Sequence, residues 1–338
     1  MTARQKLRVV VLTGGTSAER EICLKSGAKV FAALDPGRYQ AASVDLATIT
    51  QARAAELARI LFAPIGEAAA PPTPRRDGRP EVVFIALHGG AGENGTVQAM
   101  LDLLDIPYTG SGVLASAMAL NKVVAKRLFE REGIPTPRWM VVKAARRAGA
   151  AARIVADVGL PCVVKPVSEG SSIGVTIVRE EPQLAPALDL AFGYGPEAFA
   201  EQFIPGVEIT GPVLGNEDPE VLPLVEIVPS EQYEFYDYQA KYTPGATDEI
   251  IPARITEAQA ARARALTLAA HQALGCRGMS RVDMMVGPDD VYVLELQTIP
   301  GLTDTSLLPR AAEAAGITFP RLVDRLIELA LEGRERHG

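Results

Sequence analysis

The first third of the chain alternates short apolar runs with stretches of helical periodicity. The runs LRVVVL at 7–12 and VVFIAL at 82–87 predict two buried strands. Three helices and a short further strand are predicted around them, at 17–34, 51–62, 95–104 and 106–108. Because strands that alternate with helices form parallel sheets, we predict a doubly wound α/β domain over residues 1–110. Its Pro-rich segment 63–80 predicts a surface loop.

The pattern changes after residue 110. One helix is predicted at 115–132, and a Gly/Ser-rich loop at 166–172 lies between two strand-like runs. The other elements of this segment are strands at 139–142, 162–165 and 174–178 and helices at 150–158 and 182–192. Strands that enclose a loop of this kind differ from the first segment, and they predict a second, α+β domain over residues 111–200.

A third segment begins with a strand predicted at 198–203. The polar, tyrosine-rich stretch 229–247 is typical of a long functional loop. Later elements are a helix at 257–274, a hairpin built from 281–286 and 291–297, and a terminal helix at 320–332 with apolar residues at helical spacing. These elements form a third segment over residues 201–338.

The amino-acid composition of the chain disfavours several classes of function. The 338 residues carry a net charge of −7, and no basic run is present, which disfavours a nucleic-acid partner or an anionic membrane surface. No stretch approaches the about 18 apolar residues of a membrane span. The three cysteines are far apart, and the N-terminus lacks the pattern of a signal peptide. We therefore expect a cytoplasmic enzyme or binding protein.

Two acidic residues interrupt the apolar strands of the predicted hairpin. If the turn centres on Asp289, Asp283 faces Glu295 across the ladder, and Gln297 shares a face with Glu295. Two carboxylates and an amide oxygen suit Mg²⁺ bound together with nucleotide phosphates. The alternative interpretation is a solvated sheet face with ordinary polar residues.

A lysine closes the apolar strand before the Gly/Ser-rich loop. Lys165 needs a partner if it is buried, and the loop after it offers backbone N–H groups that could bind phosphate. The loop joins two strands, so it is neither a Walker loop nor a dinucleotide fingerprint. A flexible hairpin turn is the alternative interpretation.

Two further motifs lie at strand ends of the first segment. GGTSAERE at 14–21 begins a helix, where Glu19 and Glu21 suit the helix dipole and the glycines and Ser/Thr residues favour an anion. His88 follows the strand 82–87, at the edge where open α/β sheets bind ligands. Helix capping and a structural histidine are the alternatives.

Taken together, the motifs identify a family. The chain resembles the D-alanine–D-alanine ligases of the ATP-grasp superfamily over nearly its whole length. The matching segments, in order, are GGTSAERE at 14–21, ALHGGAGENGTVQ at 86–98, YTGSGVLASAMALNK at 108–122, VVKPVSEGSSIGV at 163–175, EQFIPGVEIT at 201–210, FYDYQAKYTPG at 235–245, SRVDMM at 280–285 and LELQTIPGLTDTSLLP at 294–309. The resemblance implies an ATP-grasp fold, with the N-terminal α/β domain followed by two α+β domains that sandwich ATP.

The resemblance also implies an activity: ATP-dependent ligation of two D-alanine molecules through an acyl phosphate, for peptidoglycan synthesis. It assigns the nucleotide to Lys122, Lys165, Glu201, Ile204, Glu208 and Lys241. Two Mg²⁺ ions, or Mn²⁺ in their place, would be held by Asp283, Glu295 and Gln297. The usual residue at the last position is asparagine, so Gln297 predicts a higher Mg²⁺ requirement. The family also suggests a homodimer.

The remaining residues are assigned to the amino-acid substrates by the same resemblance. Glu19 would hold the first ammonium group with His88 beside it, and Ser171 and Tyr242 would form a hydrogen-bonded set with Glu19. The oxyanion and the second carboxylate would be bound by Arg281, the Gly301 N–H, Ser306 and the Leu307 N–H. Tyr242 favours an amine as second substrate. Two alternatives stay open, namely a ligase for another amino acid or hydroxy acid, and an inactive nucleotide-binding relative.

Overall fold

The computed structural model describes residues 6–48, 79–233, 235–236, 238–243 and 245–332, with the side chains of Tyr238 and Tyr242 left out. The helix predicted at 51–62 and nearly all of the loop predicted at 63–80 lie outside the described residues.

Thirteen strands run through the described part of the chain. They are β1 Leu7–Thr13, β2 Tyr39–Asp45, β3 Val82–Ile85, β4 Trp139–Lys143, β5 Cys162–Pro166, β6 Thr176–Val178, β7 Glu197–Gln202, β8 Val207–Gly215, β9 Glu220–Val221, β10 Val225–Pro229, β11 Thr247–Ile250, β12 Gly278–Val286 and β13 Val291–Gln297. The helices are α1 Arg20–Ala33, α2 Gly90–Glu93, α3 Thr96–Leu103, α4 Val113–Leu120, α5 Lys122–Arg131, α6 Ala150–Asp157, α7 Leu184–Phe192, α8 Tyr238–Tyr242, α9 Glu257–Ala273, α10 Leu307–Ala314 and α11 Phe319–Glu332.

The first sheet is parallel, as its alternation of strands and helices predicted. Its order is β2-β1-β3, and β1 is parallel to both neighbours. The strand predicted at 106–108 is reduced to a single parallel bridge between Tyr108 and Val83. The carboxyl ends of β1 and β3 therefore lie at one edge, beside the start of α1 and the residue His88.

The prediction of one helix over 115–132 is wrong, because the chain turns at Asn121. Asn121 has extended backbone angles, and its side chain accepts a hydrogen bond from the Val124 N–H at 3.1 Å. An asparagine side chain competes for the backbone donors of the next turn and therefore begins a new helix. Lys122 thus becomes the first residue of α5 rather than a residue in mid-helix.

The second sheet has four antiparallel strands in the order β4-β7-β5-β6. We expected the strand near 198–203 to begin the third segment, but β7 pairs with β4 on one side and β5 on the other. A boundary at residue 200 would therefore fall inside a central strand of this sheet. Hydrophobic periodicity predicts that a strand is present but not which strands it pairs with, so the sequence did not show that β7 belongs to the second sheet.

The third sheet is also antiparallel. Its main order is β11-β10-β8-β12-β13, and β9 pairs with the far end of β8. The predicted hairpin is confirmed, since β12 and β13 pair and Asp283 lies directly opposite Glu295. A β-bulge follows between Asp283 and Met284.

Three main apolar cores hold these layers together. The first joins the parallel sheet to α10 and α11 near the end of the chain. The second packs α4, α5 and α9 against the third sheet. The third lies wholly within the second sheet and its helices α6 and α7. None of the described helices combines the length and the apolar character needed to cross a membrane.

Candidate active site

Two adjoining cavities contain the residues that the sequence singled out. The first is a cleft of about 1280 Å³, including its opening to solvent, and its walls come from β5, β7, β8 and β12. It contains all six residues predicted for the nucleotide, Lys122, Lys165, Glu201, Ile204, Glu208 and Lys241, together with Asp283 and Glu295.

The second cavity, about 810 Å³ including open solvent, lies between the first segment and the end of β13. It contains the predicted substrate residues Glu19, His88, Ser171, Arg281, Gly301, Ser306 and Leu307, together with Gln297. Lys122, Lys241 and Glu295 line both cavities, so the two spaces meet at these side chains. Tyr242 lies in α8, but its side chain falls outside the described residues.

Glu19 sits at the start of α1 and is almost fully buried. Its Oε1 accepts a hydrogen bond from the Ser171 hydroxyl, which confirms the contact predicted between these two side chains. Gly89 and Gly170 approach Glu19 so closely that a Cβ at either position would lie 2.6 or 2.7 Å from its Oε2. The two glycines therefore leave the space that this carboxylate occupies.

His88 has protein partners at both ring nitrogens. Nδ1 lies 3.1 Å from the Ile299 carbonyl and Nε2 lies 3.0 Å from the Ser26 hydroxyl. A carbonyl only accepts, so Nδ1 donates and the neutral ring accepts from Ser26 at Nε2. Burial lowers the pKa of His88, which favours that neutral form. Ser26 in turn accepts from the Leu302 N–H at 3.4 Å, so His88 helps to hold the loop that carries Gly301.

Lysine ammonium groups cluster in the cleft against carboxylates. Lys122 Nζ lies 3.0 Å from Glu295 Oε2 and donates to the Glu169 carbonyl at 2.7 Å. Lys165 Nζ lies 2.5 Å from Glu201 Oε1. Lys241 Nζ lies 5.0 Å from the centre of the Tyr236 ring, and burial lowers its pKa. Such a cluster favours a polyanion such as a triphosphate.

The predicted metal ligands share one face of the hairpin. Gln297 Nε2 donates a hydrogen bond to Glu295 Oε1 at 3.2 Å. The Asp283 carboxylate accepts two hydrogen bonds, one from Thr210 Oγ1 at 2.6 Å and one from Arg281 Nη2 at 2.9 Å. Burial alone would raise the pKa of Glu295. The positive charges of nearby lysines, of which Lys122 has the largest effect, more than offset burial and hold this pKa well below the usual range of a glutamate. Glu295 is therefore charged and able to bind a cation.

The donor set fits a metal that shares its coordination with phosphates. Within the described residues, no group of three or more His, Cys, Asp or Glu is arranged to hold a metal ion. The hairpin instead offers two carboxylates and one amide oxygen, all hard ligands. A carboxylate has about four lone-pair directions, so the existing hydrogen bonds of Asp283 leave room for a cation.

Ser306 and Leu307 lie at the start of α10. The Ser306 hydroxyl accepts from the Thr303 N–H at 2.9 Å, and Leu307 is the first helical residue. The first N–H groups of a helix have no partner within it and carry partial positive charge. This end of α10 therefore offers a carboxylate-binding position, with Gly301 and Arg281 lining the same cavity.

Three residues of the site were not assigned a role from the sequence. Glu93 accepts from the Gly89 N–H at 2.6 Å, and burial, together with the charge of Glu19, raises its pKa to about 8. Ser172 donates to the Tyr236 carbonyl at 2.9 Å and so joins the Gly/Ser loop to the tyrosine-rich loop.

The third residue without a role assigned from the sequence is Lys126, which forms an ion pair with Glu201 at 2.7 Å. Its position four residues after Lys122 on one helix face was the only signal in the sequence.

Comparison with known proteins agrees with this geometry. Family models described as the D-ala D-ala ligase N-terminus and C-terminus match residues 8–111 and 128–328. A D-alanine–D-alanine ligase of Syntrophobacter fumaroxidans is 49% identical over 97% of this chain and 99% of its own length. Another, of Pelotomaculum thermopropionicum, is 46% identical over 96% of this chain and 97% of its own length.

Solved structures give the same result for the fold. The Bacillus anthracis D-alanine–D-alanine ligase complexed with ATP superposes with a TM-score of 0.78 at 33% identity, covering 99% of this chain and all of that one. Because this superposition covers 99% of the chain, it includes the parallel sheet and both antiparallel sheets, and the expectation of an ATP-grasp fold is confirmed. With two family models and near full-length relatives matched, the chain belongs to the D-alanine–D-alanine ligase family.

Proposed function

We propose that this protein joins two D-alanine molecules at the expense of ATP and supplies the dipeptide for peptidoglycan synthesis. The observation that carries the proposal is the meeting of the two cavities at Lys122, Lys241 and Glu295. A triphosphate in the cleft would place its terminal phosphate there, beside a cavity that offers one carboxylate for an ammonium group and a helix start for a carboxylate.

The reaction begins with activation of a carboxylate. An oxygen of the first D-alanine attacks the γ-phosphorus, the bond to ADP breaks, and an acyl phosphate forms. Lys122, Lys165 and Lys241 bind the phosphates, while Glu19 holds the ammonium group of this first substrate. Asp283, Glu295 and Gln297 would hold Mg²⁺, which offsets charge repulsion during phosphoryl transfer when it is bound.

The second step forms the amide. The amine of the second D-alanine attacks the acyl carbon, inorganic phosphate leaves, and the nitrogen loses a proton. Arg281 and the Gly301 N–H stabilise the tetrahedral oxyanion, and Ser306 with the Leu307 N–H orient the second carboxylate. The contact between Ser172 and Tyr236 supports closure of both loops over the acyl phosphate, which would otherwise hydrolyse.

The test is phosphate release with ATP, Mg²⁺ and D-alanine, followed by identification of the product. We expect D-alanyl-D-alanine, one ADP and one phosphate per turnover. A preference for D-lactate over D-alanine near pH 7.5 would contradict the role assigned to Tyr242 and favour a hydroxy-acid ligase. Absence of turnover with intact nucleotide binding would favour an inactive relative.

The location and assembly of the enzyme are part of the same proposal. We place the reaction in the cytoplasm, where ATP is available, and we expect a homodimer. Sedimentation equilibrium of the purified protein tests the dimer, which a monomer at micromolar concentration would contradict.

A further inference from the structure

Glu201 is a buried carboxylate held between two ammonium groups. It lies in β7 with 2% of its side chain exposed, and its two oxygens have different partners. Oε1 lies 2.5 Å from Lys165 Nζ, and Oε2 lies 2.7 Å from Lys126 Nζ. A carboxylate so deeply buried is stable as an ion only while a cation remains beside it.

The two lysines differ in how firmly their ammonium groups are held beside Glu201. The side chain of Lys165 is 14% exposed and lines the cleft, whereas that of Lys126 is 1% exposed and does not line it. Lys126 Nζ also donates to Thr136 Oγ1 at 2.5 Å and to the Pro137 carbonyl at 3.5 Å. Thr136 Oγ1 in turn donates to the Val293 carbonyl in β13 at 2.8 Å. Lys126 is therefore fixed from behind, while Lys165 is free to turn towards a ligand.

The surroundings of Glu201 indicate which part of a nucleotide it meets. The phosphate end of the cleft is the end shared with the second cavity, at Lys122 and Lys241. Away from that end, the walls carry the apolar side chains of Ile177, Ile204 and Met285. A flat base packs well between apolar side chains, and Glu201 is a polar group within the same walls.

We propose that Lys126 is a positioning residue that holds the Glu201 carboxylate in place, so that Oε1 exchanges the Lys165 ammonium for the 6-amino group of adenine when nucleotide binds. The inference rests on the proposed use of ATP. Lys165 then turns to the phosphates, and Lys126 remains on Oε2 as the cation that keeps Glu201 ionised. An ionised carboxylate accepts a hydrogen bond from a 6-amino group and repels a 6-oxo group, so Lys126 supports base specificity through Glu201.

The electrostatics of the pair agree with this arrangement. Burial opposes ionisation of Glu201, but the ammonium groups of Lys126 and Lys165 together outweigh it and hold its pKa below the usual range. Burial also lowers the pKa of Lys126, and the charge of Glu201 opposes that shift. The charge of each member thus favours the charged form of the other.

The experiment compares ATP with inosine triphosphate, which carries an oxo group in place of the 6-amino group. Dissociation constants are measured by isothermal titration calorimetry with Mg²⁺ for the wild type, K126M and the control K143M. Lys143 forms an exposed ion pair of 3.0 Å with Glu197 on the same strand β7, so K143M removes a similar pair outside the cleft. We expect a wild-type preference for ATP that falls at least about tenfold in K126M, through weaker ATP binding, and is unchanged in K143M.

Other results would overturn the inference. A merely structural role for Lys126 would weaken both nucleotides equally and leave their ratio unchanged. A wild type that does not discriminate between them would also contradict it. Since the readout is equilibrium binding, it does not depend on ligase turnover, and failure of the proposed function would be seen separately in the product assay.

A second comparison applies if K126M alone does not fold. Removing both charges in K126M/E201Q avoids leaving a buried carboxylate with one cation fewer. If Lys126 acts through Glu201, K126M/E201Q and E201Q have the same ratio of ATP to inosine triphosphate affinity. A further loss of discrimination in the double variant would contradict the inference.

Discussion

At the scale of single residues, the site depends on buried carboxylates with different ionisation states. Glu201 and Glu295 are kept charged by lysines, whereas the pKa of Glu93 is raised to about 8 and that of Glu208 to about 7 by burial and neighbouring carboxylates. One small region thus holds carboxylates that favour the ionised form and carboxylates that retain their proton to a higher pH. The ionisation state of each carboxylate follows from whether a lysine ammonium group lies within contact distance of it.

The raised pKa of Glu93 predicts a dependence of stability on pH. The folded protein binds this proton more tightly than the unfolded chain, so the stabilisation is fully present below about pH 4.5 and is lost as the pH rises towards 8. In E93Q the side chain stays neutral and retains an acceptor for the Gly89 N–H. We therefore expect the melting temperature of E93Q to rise relative to wild type between pH 5 and pH 8.5, by a few degrees.

Differential scanning fluorimetry at several pH values measures this effect. E21Q, which removes a carboxylate from the exposed side of α1, controls for the loss of one negative charge. A difference between E93Q and wild type that does not change with pH would show that Glu93 is ionised throughout the range.

Gln297 predicts an altered metal requirement. Its side chain is one methylene longer than the asparagine that the family resemblance leads us to expect at this position, and its amide donates to Glu295 Oε1 at 3.2 Å. We expect Q297N to reach half-maximal activity at a lower Mg²⁺ concentration, because the shorter amide restores the usual metal position. An Mg²⁺ titration of ADP release measures the change, and an identical titration curve would refute the prediction.

At the scale of elements, the start of α5 connects helix capping with the proposed nucleotide site. Asn121 caps the helix, and the next residue, Lys122, reaches Glu295 and the carbonyl of Glu169. Lys126 follows one turn later. The sharp turn between α4 and α5 therefore places Lys122 at the cleft and Lys126 behind it, against Glu201.

Removal of this cap should affect both stability and function. N121A loses the bond to the Val124 N–H, at a cost of about 0.5 to 2 kcal/mol. We also expect KM for ATP to rise about three- to tenfold, equivalent to about 0.6–1.4 kcal/mol. T256A is the matched control, since Thr256 caps α9 by the same kind of bond and lines neither cavity. It should lower the melting temperature similarly and leave KM unchanged, whereas unchanged KM in N121A would contradict the prediction.

At the scale of the whole molecule, the three segments differ in how far each has its own core. The core of the parallel sheet includes Leu322, Leu326 and Ile327 of α11, more than 200 residues away along the chain. The second sheet closes its own core with α6 and α7. The chain therefore returns at its end to cover the segment with which it began.

This difference predicts how fragments behave. We expect residues 1–110 alone not to fold cooperatively, because the apolar surface covered by α11 would be exposed. Residues 134–205 alone retain β4–β7 and their core, and we expect them to fold. Near-UV circular dichroism and thermal melting of both fragments test this, and a cooperative transition in 1–110 would contradict it.

Local patterns in the sequence predicted a large part of the fold. The alternation of side chains along a strand and the position of the turn at 287–290 were sufficient to place Asp283 opposite Glu295, since these two residues lie within one hairpin. Motif resemblance grouped the nucleotide and substrate residues, and the structure brings the described side chains of both groups into adjoining cavities. The break at Asn121 and the pairing of β7 were missed, because a side-chain cap and a strand partner leave little trace in hydrophobic periodicity.

The sequence by itself determined the order and type of most elements, the hairpin that carries the proposed metal ligands, and the family. These depend on contacts between neighbours in the chain or on motifs that stay together. Only the tertiary structure decided that Lys126 faces Glu201, that His88 is held by Ser26 and Ile299, and that α11 covers the first sheet. Those contacts join residues 62 to more than 200 positions apart, and their partners are selected by burial, where each charge or polar atom must find a match.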